Sequence, residues 1–376
     1  MILTYYLPNR TGLTLHVKEV SEGLVRKGHN VTVLCANVPK SKRREIINGV
    51  TVIRLPALLR MSRGVLMPSY PFVLPELIKK SDVINVHLPI MESALITFYA
   101  KLLGKQVVLT HHGDLHLPKG RFFNKIIEYL LLRCYWYSAK YTHKIIGYSH
   151  DYANHSYYLL PFRNKVKVIY PPIVADVPDK EEIKLFRKKY SLKNCKIIGF
   201  AGRFVEEKRP DYLINALPFI LEKIPDVKIV FAGEYNIKYE KFYDKCSSLI
   251  DKYAPYLLFA GKMNTPKEMA NFYSLCDVLV LPSDTECLGM VQVEAMLCGT
   301  SVVVNDIPGA REAVRVTHMG KIVNASNPKE LSKAICEVIS NKSKYVKPRE
   351  FISKSFSVNE TINRYESLFI EATNKK

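Results

Sequence analysis

No apolar run in this chain approaches the roughly 18 to 20 residues needed to span a bilayer, so no transmembrane helix is expected. A secretory pattern is missing as well, because Met1 leads directly into the strand-like Ile2-Leu3-Thr4-Tyr5-Tyr6. The eight cysteines, at 35, 134, 195, 246, 276, 287, 298 and 336, form no CxxC pair. That argues against a zinc site and against a disulfide framework, and a reducing cytosol is the expected home. There is no internal repeat and no low-complexity segment, and Lys40-Ser41-Lys42-Arg43-Arg44 is the only notable charge run. Acidic residues are scarce in the first half: residues 1–175 carry 9 Asp/Glu against 24 Lys/Arg, while the remainder carries 26 against 31. The surplus points to an anionic partner or to solvated lysine-rich faces. Without a zinc finger, a helix-turn-helix or an aromatic RNA-binding motif, nucleic acid is not the expected partner.

What is present is an alternation of strands and helices over 376 residues, enough for two ordinary domains. Short β-branched runs fall at Val31–Cys35, Val50–Leu55, Val83–Leu88, Val107–Thr110, Lys144–Tyr148 and Val166–Tyr170. Leu13, Val17, Val20 and Leu24 recur at helical spacing, and Gly28 follows where a C-terminal glycine belongs. A second series reads Lys196–Ala201, Val227–Ala232, Leu257–Ala260, Val278–Leu281 and Val302–Val304. Helices are expected between these strands over Asp211–Leu221, Phe242–Tyr253, Lys267–Ser274 and Met290–Cys298. The paired prolines of Tyr170-Pro171-Pro172-Ile173 cannot continue a ladder and mark the hinge. The expected architecture is α/β, two Rossmann-like doubly wound domains facing a central cleft, over 1–171 and 172–355.

The densest chemistry lies in Ser283–Ser301. Glu286 and Glu294 stand eight residues apart, with Gly289 between them and an apolar helix following. The unpaired amides and dipole of that helix start suit a phosphate, and a carboxylate on each side suits sugar and ribose hydroxyls. Upstream, Gly202 ends a strand, and Arg203 and Lys208 stand in the loop before a helix. A guanidinium fork and a compact ammonium there suit a diphosphate whose charge develops on departure. In the first half, Thr11-Gly12-Leu13-Thr14 opens a helix, and Gly12 suits close approach of backbone to phosphate. His111-His112-Gly113-Asp114 ends the fourth strand, placed for substrate hydroxyls or proton transfer. Tandem histidines also suit a metal, but no Glu-x-x-His or third ligand is evident, so none is expected.

Taken together, these residues resemble the retaining family-four glycosyltransferases of the GT-B fold, over nearly the whole chain and most strongly from Ile198 to Val314. The resemblance rests on Gly202-Arg203…Lys208, on Glu286-Cys287-Leu288-Gly289…Glu294-Ala295, and on Asp306-Ile307-Pro308-Gly309-Ala310-Arg311-Glu312. It implies that Arg203 and Lys208 hold the donor diphosphate and that Glu286 meets the donor sugar near its reacting end. It further implies that amides of Leu288, Gly289, Met290 and Val291 bind sugar hydroxyls and phosphate, and that Glu294 accepts from the ribose. His112 would contact the sugar and stabilise the transition state, and loops at Glu234 and Lys262-Met263 would meet the base. No metal or other cofactor is implied, and the last segment, about 356–376, would cross back to the first domain as a helix. Three departures stand out: Thr11 replaces the first of two usual glycines, Leu288 stands where phenylalanine is common, and the first strand starts almost at Met1.

The implied reaction moves a hexose from a UDP- or GDP-sugar to an acceptor hydroxyl with retention. A double displacement needs two close carboxylates, and no convincing second one is found. Front-face attack through an oxocarbenium-like state is therefore expected, as the resemblance implies, with the leaving phosphate taking the acceptor proton. For the acceptor, a lipid-linked or cell-envelope glycan, the basic first domain is the clue. Gly120–Tyr141 mixes Arg121, Lys125, Arg133 and Lys140 with Phe122, Phe123, Tyr135 and Trp136. Such a mixture suits an anionic membrane surface, and so does Arg60-Met61-Ser62-Arg63 with Val65, Leu66, Met67, Tyr70 and Phe72. The competing reading makes Ile126, Ile127, Leu130 and Leu131 the core face of a helix. The expected location is cytoplasmic, peripheral on the membrane face, and the alternative function is a non-catalytic nucleotide-sugar or glycan binding protein.

Overall fold

The computed structural model describes residues 1–39, 41–61, 64–115, 122–237 and 240–374. Lys40, Ser62 and Arg63 of the two basic runs, and Gly120 and Arg121 of the basic–aromatic stretch, lie outside the described residues. The chain forms two compact units: Met1–Pro172 with Val358–Lys376, and Ile173–Ser357.

In the first unit the expected opening strand shrinks to single bridges. Ile2 pairs in parallel with both Leu34 and Val86. The Ile2 amide donates to the Asn85 carbonyl at 2.8 Å, and the Leu34 amide donates to Met1 at 2.9 Å. This short segment therefore joins the parallel pair Thr32–Ala36/Val50–Leu55 to the parallel set Val83–Leu88, Gln106–His111, Lys144–Gly147 and Val166–Val168. An additional edge strand, Arg44–Ile47, runs antiparallel to Val50–Leu55. Its two-residue turn is Asn48-Gly49, both at positive φ (49° and 82°), the backbone that matches strand twist in a tight hairpin. The helix Gly12–Arg26 buries Val17, Val20 and Leu24. Gly23 lets the C-terminal helix Val358–Asn374 seat directly on it, since a Cβ there would lie 2.3 Å from Ile362.

The second unit is a six-stranded parallel sheet. From one edge to the other its strands are Leu257–Gly261, Val227–Ala232, Lys196–Ala201, Val278–Leu281, Val302–Asn305 and Gly320–Val323. In chain order that is 3-2-1-4-5-6, the doubly wound arrangement whose winding reverses between Lys196–Ala201 and Val278–Leu281. Such sheets bind ligands where the winding reverses, beyond the carboxyl ends of the strands. The helix expected over Phe242–Tyr253 is two short ones, Phe242–Lys245 and Ser247–Lys252, because Cys246 between them leaves helical geometry (φ −96°, ψ 4°).

Candidate active site

Two loops meet at the reversal point of the second sheet. The first leaves Lys196–Ala201 at Gly202, whose φ of 150° turns the chain against the next strand end. A Cβ on Gly233 would lie 2.0 Å from the Gly202 carbonyl oxygen, so the two loops pack backbone to backbone. Phe204 and Val205 are buried beneath this loop and anchor it. Arg203 and Lys208 keep side chains 33% and 25% exposed. Beyond Lys208, Arg209 adopts a left-handed backbone (φ 48°) and starts the helix Pro210–Leu221.

The second loop leaves Val278–Leu281 and carries Ser283 and Glu286. Lys208 Nζ donates to Glu286 Oε1 at 2.5 Å, and the buried Ser283 hydroxyl donates to the same oxygen at 2.9 Å. The Asp284 amide donates to the Glu207 carbonyl at 3.0 Å and ties the loops together. Gly309 backs the arrangement: at φ 81°, its Cβ would lie 2.2 Å from the Glu286 carbonyl oxygen. Asn305 reaches the Ser283 carbonyl at 3.0 Å. The helix Met290–Leu297 then begins at Gly289, which is left-handed (φ 71°) and supplies no side-chain cap. Its first amides are the anion-binding kind, and Leu288 beneath them is buried. Gln292, also buried, donates to the Leu288 and Ala310 carbonyls and fixes the turn.

Several of the expected residues are therefore brought together: Lys208, Glu286, Leu288, Gly289, Met290 and Val291. Arg203 donates to Glu207 at 3.0 Å on the same loop. Glu294 lies one turn into the helix and accepts the Tyr273 hydroxyl at 2.5 Å. Burial raises the Glu294 carboxyl above its ordinary range, and the Tyr273 bond opposes that shift. Tyr273, Ser283 and Gln292 were not read as site residues, since each acts through another group: Tyr273 through Glu294 on a different helix, Ser283 through Glu286 of its own loop, and Gln292 through the Leu288 and Ala310 carbonyls.

The first unit carries a second cluster. Thr11 is the N-cap of Gly12–Arg26, and its side chain accepts from the Thr14 amide at 3.2 Å. The residue that replaces a glycine thus occupies one of the amides that Gly12 was expected to leave to a phosphate. His112 sits at the end of Gln106–His111 and joins an aromatic network that sequence spacing did not reveal. Its Nε2 faces His87 Nδ1 at 2.9 Å, and its Nδ1 faces the Tyr148 hydroxyl at 2.6 Å. Tyr148 also meets His16 Nδ1 at 3.2 Å, and His16 Nε2 meets the Tyr365 hydroxyl at 2.9 Å. Burial lowers the His16 pKa to about 3 and holds His87 and His112 well below the ordinary imidazole range. All three rings are neutral at physiological pH. One nitrogen from each of His16, His87 and His112 falls within 4.8 Å of the others, so a third histidine is present where none was evident. Both nitrogens of His112 are engaged, however, and a metal would have to displace His87 or Tyr148. His111 and Asp114 turn inward: Asp114 Oδ1 meets His111 at 3.2 Å and accepts the Ser156 hydroxyl at 2.6 Å.

On the surface of this unit, Phe72 (84% exposed), Leu102, Ile126, Ile127, Tyr129, Leu130 and Trp136 are open to solvent. The core-face reading of Ile126, Ile127 and Leu130 is thereby overturned; the helix Phe122–Tyr141 turns Tyr135 inward instead. Among the described residues, no helix is long and apolar enough to cross a membrane.

Residues 10–177 match the family model described as Glycosyltransferase Family 4, and residues 182–355 match the one described as Glycosyl transferases group 1. An uncharacterized glycosyltransferase of Methanocaldococcus jannaschii is 29% identical over 363 residues, covering 90% of this chain and 88% of the relative. The crystal structure of HepE from Anabaena in complex with UDP and glucose aligns with a TM-score of 0.77 at 17% identity, over 98% of this chain and 99% of that one. Sucrose-phosphate synthase from Thermosynechococcus elongatus aligns at 0.75, also 17% identical, over 99% and 96%. At such identities the likeness speaks for the fold alone.

Proposed function

This chain belongs to the family-four glycosyltransferases of GT-B fold, and from that premise we propose that it moves a hexose from a UDP- or GDP-sugar to an acceptor hydroxyl with retention. The observation that carries the reading is the Lys208–Glu286 pair, set at the reversal point of the second sheet beside a helix start with no side-chain cap. An arriving diphosphate competes with Glu286 for Lys208. Once Lys208 turns to phosphate, Ser283 still holds Glu286, whose carboxylate faces the sugar. Arg203 supplies the second cation, the amides of Leu288 to Val291 take the phosphate and sugar oxygens, and Glu294 takes the ribose. The resemblance gives His112 a role toward the same sugar.

In the proposed step the anomeric carbon–phosphate oxygen bond breaks through an oxocarbenium-like state. The acceptor oxygen forms its bond on the face that the phosphate leaves, and its proton passes to the departing phosphate oxygen. A double displacement would need a carboxylate nucleophile, and Asp114, the carboxylate of the His112 turn, is committed to His111 and Ser156. Charge neutralisation by Arg203 and Lys208 fills the role of a metal, so none is proposed. The acceptor is proposed to be a lipid-linked or cell-envelope glycan met at an anionic membrane surface. Exposed Phe72, Ile126, Ile127, Leu130 and Trp136 among the surplus cations of residues 1–175 support that reading.

Thermal stabilisation by UDP, GDP and ADP tests the donor half. A nucleotide at about a hundred times its Kd adds about 2.7 kcal/mol of stability. A shift with UDP or GDP that disappears in Lys208→Ala supports the reading, and no shift with any of the three overturns it.

A further inference from the structure

Glu294 is half-buried on the helix Met290–Leu297, and its two carboxylate oxygens are placed differently. Oε2 accepts the hydroxyl of Tyr273 at 2.5 Å, from the facing helix Pro266–Leu275. Oε1 takes no hydrogen bond among the described residues and is not sealed from solvent. An ionised carboxylate has only acceptors, so Tyr273 must be the donor in this bond. Tyr273 is itself held: it is 1% exposed, and its carbonyl accepts the buried Thr300 hydroxyl at 2.7 Å. The Thr300 amide donates in turn to the Ala295 carbonyl at 2.9 Å, beside Glu294. The two helices are thus joined twice, once through the Tyr273 ring and once through Thr300.

The Tyr273 bond acts on the carboxylate in two ways. The last torsion of a glutamate side chain is broad, so a carboxylate tethered at neither oxygen has no fixed plane. With Oε2 held, Oε1 keeps one direction. The other effect is on charge. Burial favours the neutral acid, which would turn an acceptor oxygen into a donor, and the Tyr273 bond opposes that shift. Tyr273 on the facing helix and Cys298 at the end of Glu294's own helix are its titratable neighbours. Burial pushes both upward, so neither carries charge at neutral pH. Arg349, next to Cys298, donates to the Leu297, Asp176 and Ala175 carbonyls.

We infer that Tyr273 is a positioning residue that aims Glu294 Oε1 at a pair of vicinal hydroxyls, and so makes the site select a ribonucleotide over its deoxy counterpart. An acceptor oxygen with no protein donor gains bonds from a diol and none from a sugar that lacks hydroxyls. A site built to pair a hydroxyl rejects the analogue without it. The selection rests on the proposed role of Glu294 at the ribose; the hold of Tyr273 on the carboxylate does not.

Calorimetric titration of the full chain with UDP and with 2′,3′-dideoxy-UDP tests the selection; GDP and its dideoxy form replace them if GDP is the nucleotide that stabilises the protein. The wild type should bind the ribose form about tenfold or more tightly, as a hydrogen bond to a charged group provides. In Tyr273→Phe that ratio should fall about fivefold, the value of one ordinary hydrogen bond, with affinity for the dideoxy form unchanged. A packing role alone would weaken both ligands alike and leave the ratio standing. Thr300→Val, which frees the Tyr273 carbonyl at nearly constant volume, should move the ratio the same way and serves if the first variant does not fold. A 13C titration of the Glu294 carboxyl, identified by its loss in Glu294→Gln, reads the free protein. Its midpoint should lie at higher pH in Tyr273→Phe than in the wild type. An unchanged ratio in the folded variant, or an unmoved carboxyl titration, overturns the inference. A wild type that binds no nucleotide while the carboxyl titration moves as expected counts against the nucleotide-sugar reading alone.

Discussion

Replacing Lys208 by alanine is the sharpest test of the proposed clamp, because the structure separates its effect on stability from its effect on turnover. The ammonium lies 2.5 Å from Glu286, with the two side chains 25% and 11% exposed. A partly exposed pair of this kind contributes at most about 1 kcal/mol after solvent screening. Glu286 also keeps its Ser283 bond in the variant. For a unit of this size the melting temperature should fall by only about 2–4 °C. Turnover should suffer far more, because the same charge faces a leaving diphosphate. Loss of one preorganised charge donor costs about 2.7–4 kcal/mol of barrier, a hundredfold to a thousandfold in kcat. Lys208→Met, which keeps the aliphatic stem, should reproduce the kinetic loss and recover any packing loss. The assay is UDP or GDP release from the corresponding sugar, chosen by whichever nucleotide stabilises the protein. Turnover within about threefold of wild type would remove Lys208 from the mechanism. A fall of 10 °C or more would show that the pair is architectural.

Three further outcomes follow from the geometry. Gly233→Ala adds a Cβ 2.0 Å from the Gly202 carbonyl at a φ of 145°, and should cost about 3 kcal/mol in urea unfolding of the second unit; an unchanged midpoint refutes the close packing of the two loops. His16, its pKa held down to about 3 by burial against an ordinary 6.5, binds its proton more readily in the unfolded chain. Its contribution is complete above about pH 6.5 and drains as pH falls toward 3, by about 1.4 kcal/mol per pH unit. His87 and His112 add shifts of the same sign, so denaturant midpoints at pH 7, 6 and 5 should decline steadily, and a flat profile contradicts the buried neutral cluster. Joint substitution of Phe72, Ile126, Ile127 and Leu130 by serine should weaken co-sedimentation with phosphatidylglycerol vesicles at least tenfold, each side chain losing about 1 kcal/mol of apolar contact; equal binding removes that face from the proposal.

The parts of the molecule that announce themselves locally were readable. Buried parallel strands such as Lys196–Ala201, apolar after its first residue, and Val278–Leu281 are near-continuous apolar runs, and their ends place Gly202 and Ser283 without further information. The edge strand Arg44–Ile47 was missed although Asn48-Gly49 is a strong hairpin signal, because its residues alternate too briefly and carry charge. The strand Gly320–Val323 was missed for want of apolar length; its first residue packs against the neighbouring backbone, where a Cβ would lie 2.1 Å from the Val302 carbonyl oxygen. In the site, Lys208 and Glu286 were legible singly, each tied to a motif. Their direct bond was not, since it joins the ends of two strands through the order of the sheet. The histidine–tyrosine chain was illegible for the same reason. Positions 16, 87, 112, 148 and 365 share no spacing, and His16 reads in sequence as one more residue on the buried side of an amphipathic helix.

The helix Val358–Asn374 gives the first unit a dependence in time. Ile362, Tyr365, Leu368 and Ala372 complete a core that also contains Val20, Leu24, Val108, Ile146 and Ile169. On a ribosome those early residues emerge long before their partners. At about 5–20 residues per second, the intervening unit Ile173–Ser357 holds the wait at roughly ten to forty seconds. By the end of that interval the second unit has every strand of its sheet, the last being Gly320–Val323, and is free to fold, while the first still waits with an uncovered apolar stripe. The domain synthesised first is therefore the one finished last, and a nascent chain stalled before Val358 is a natural client for a holding chaperone.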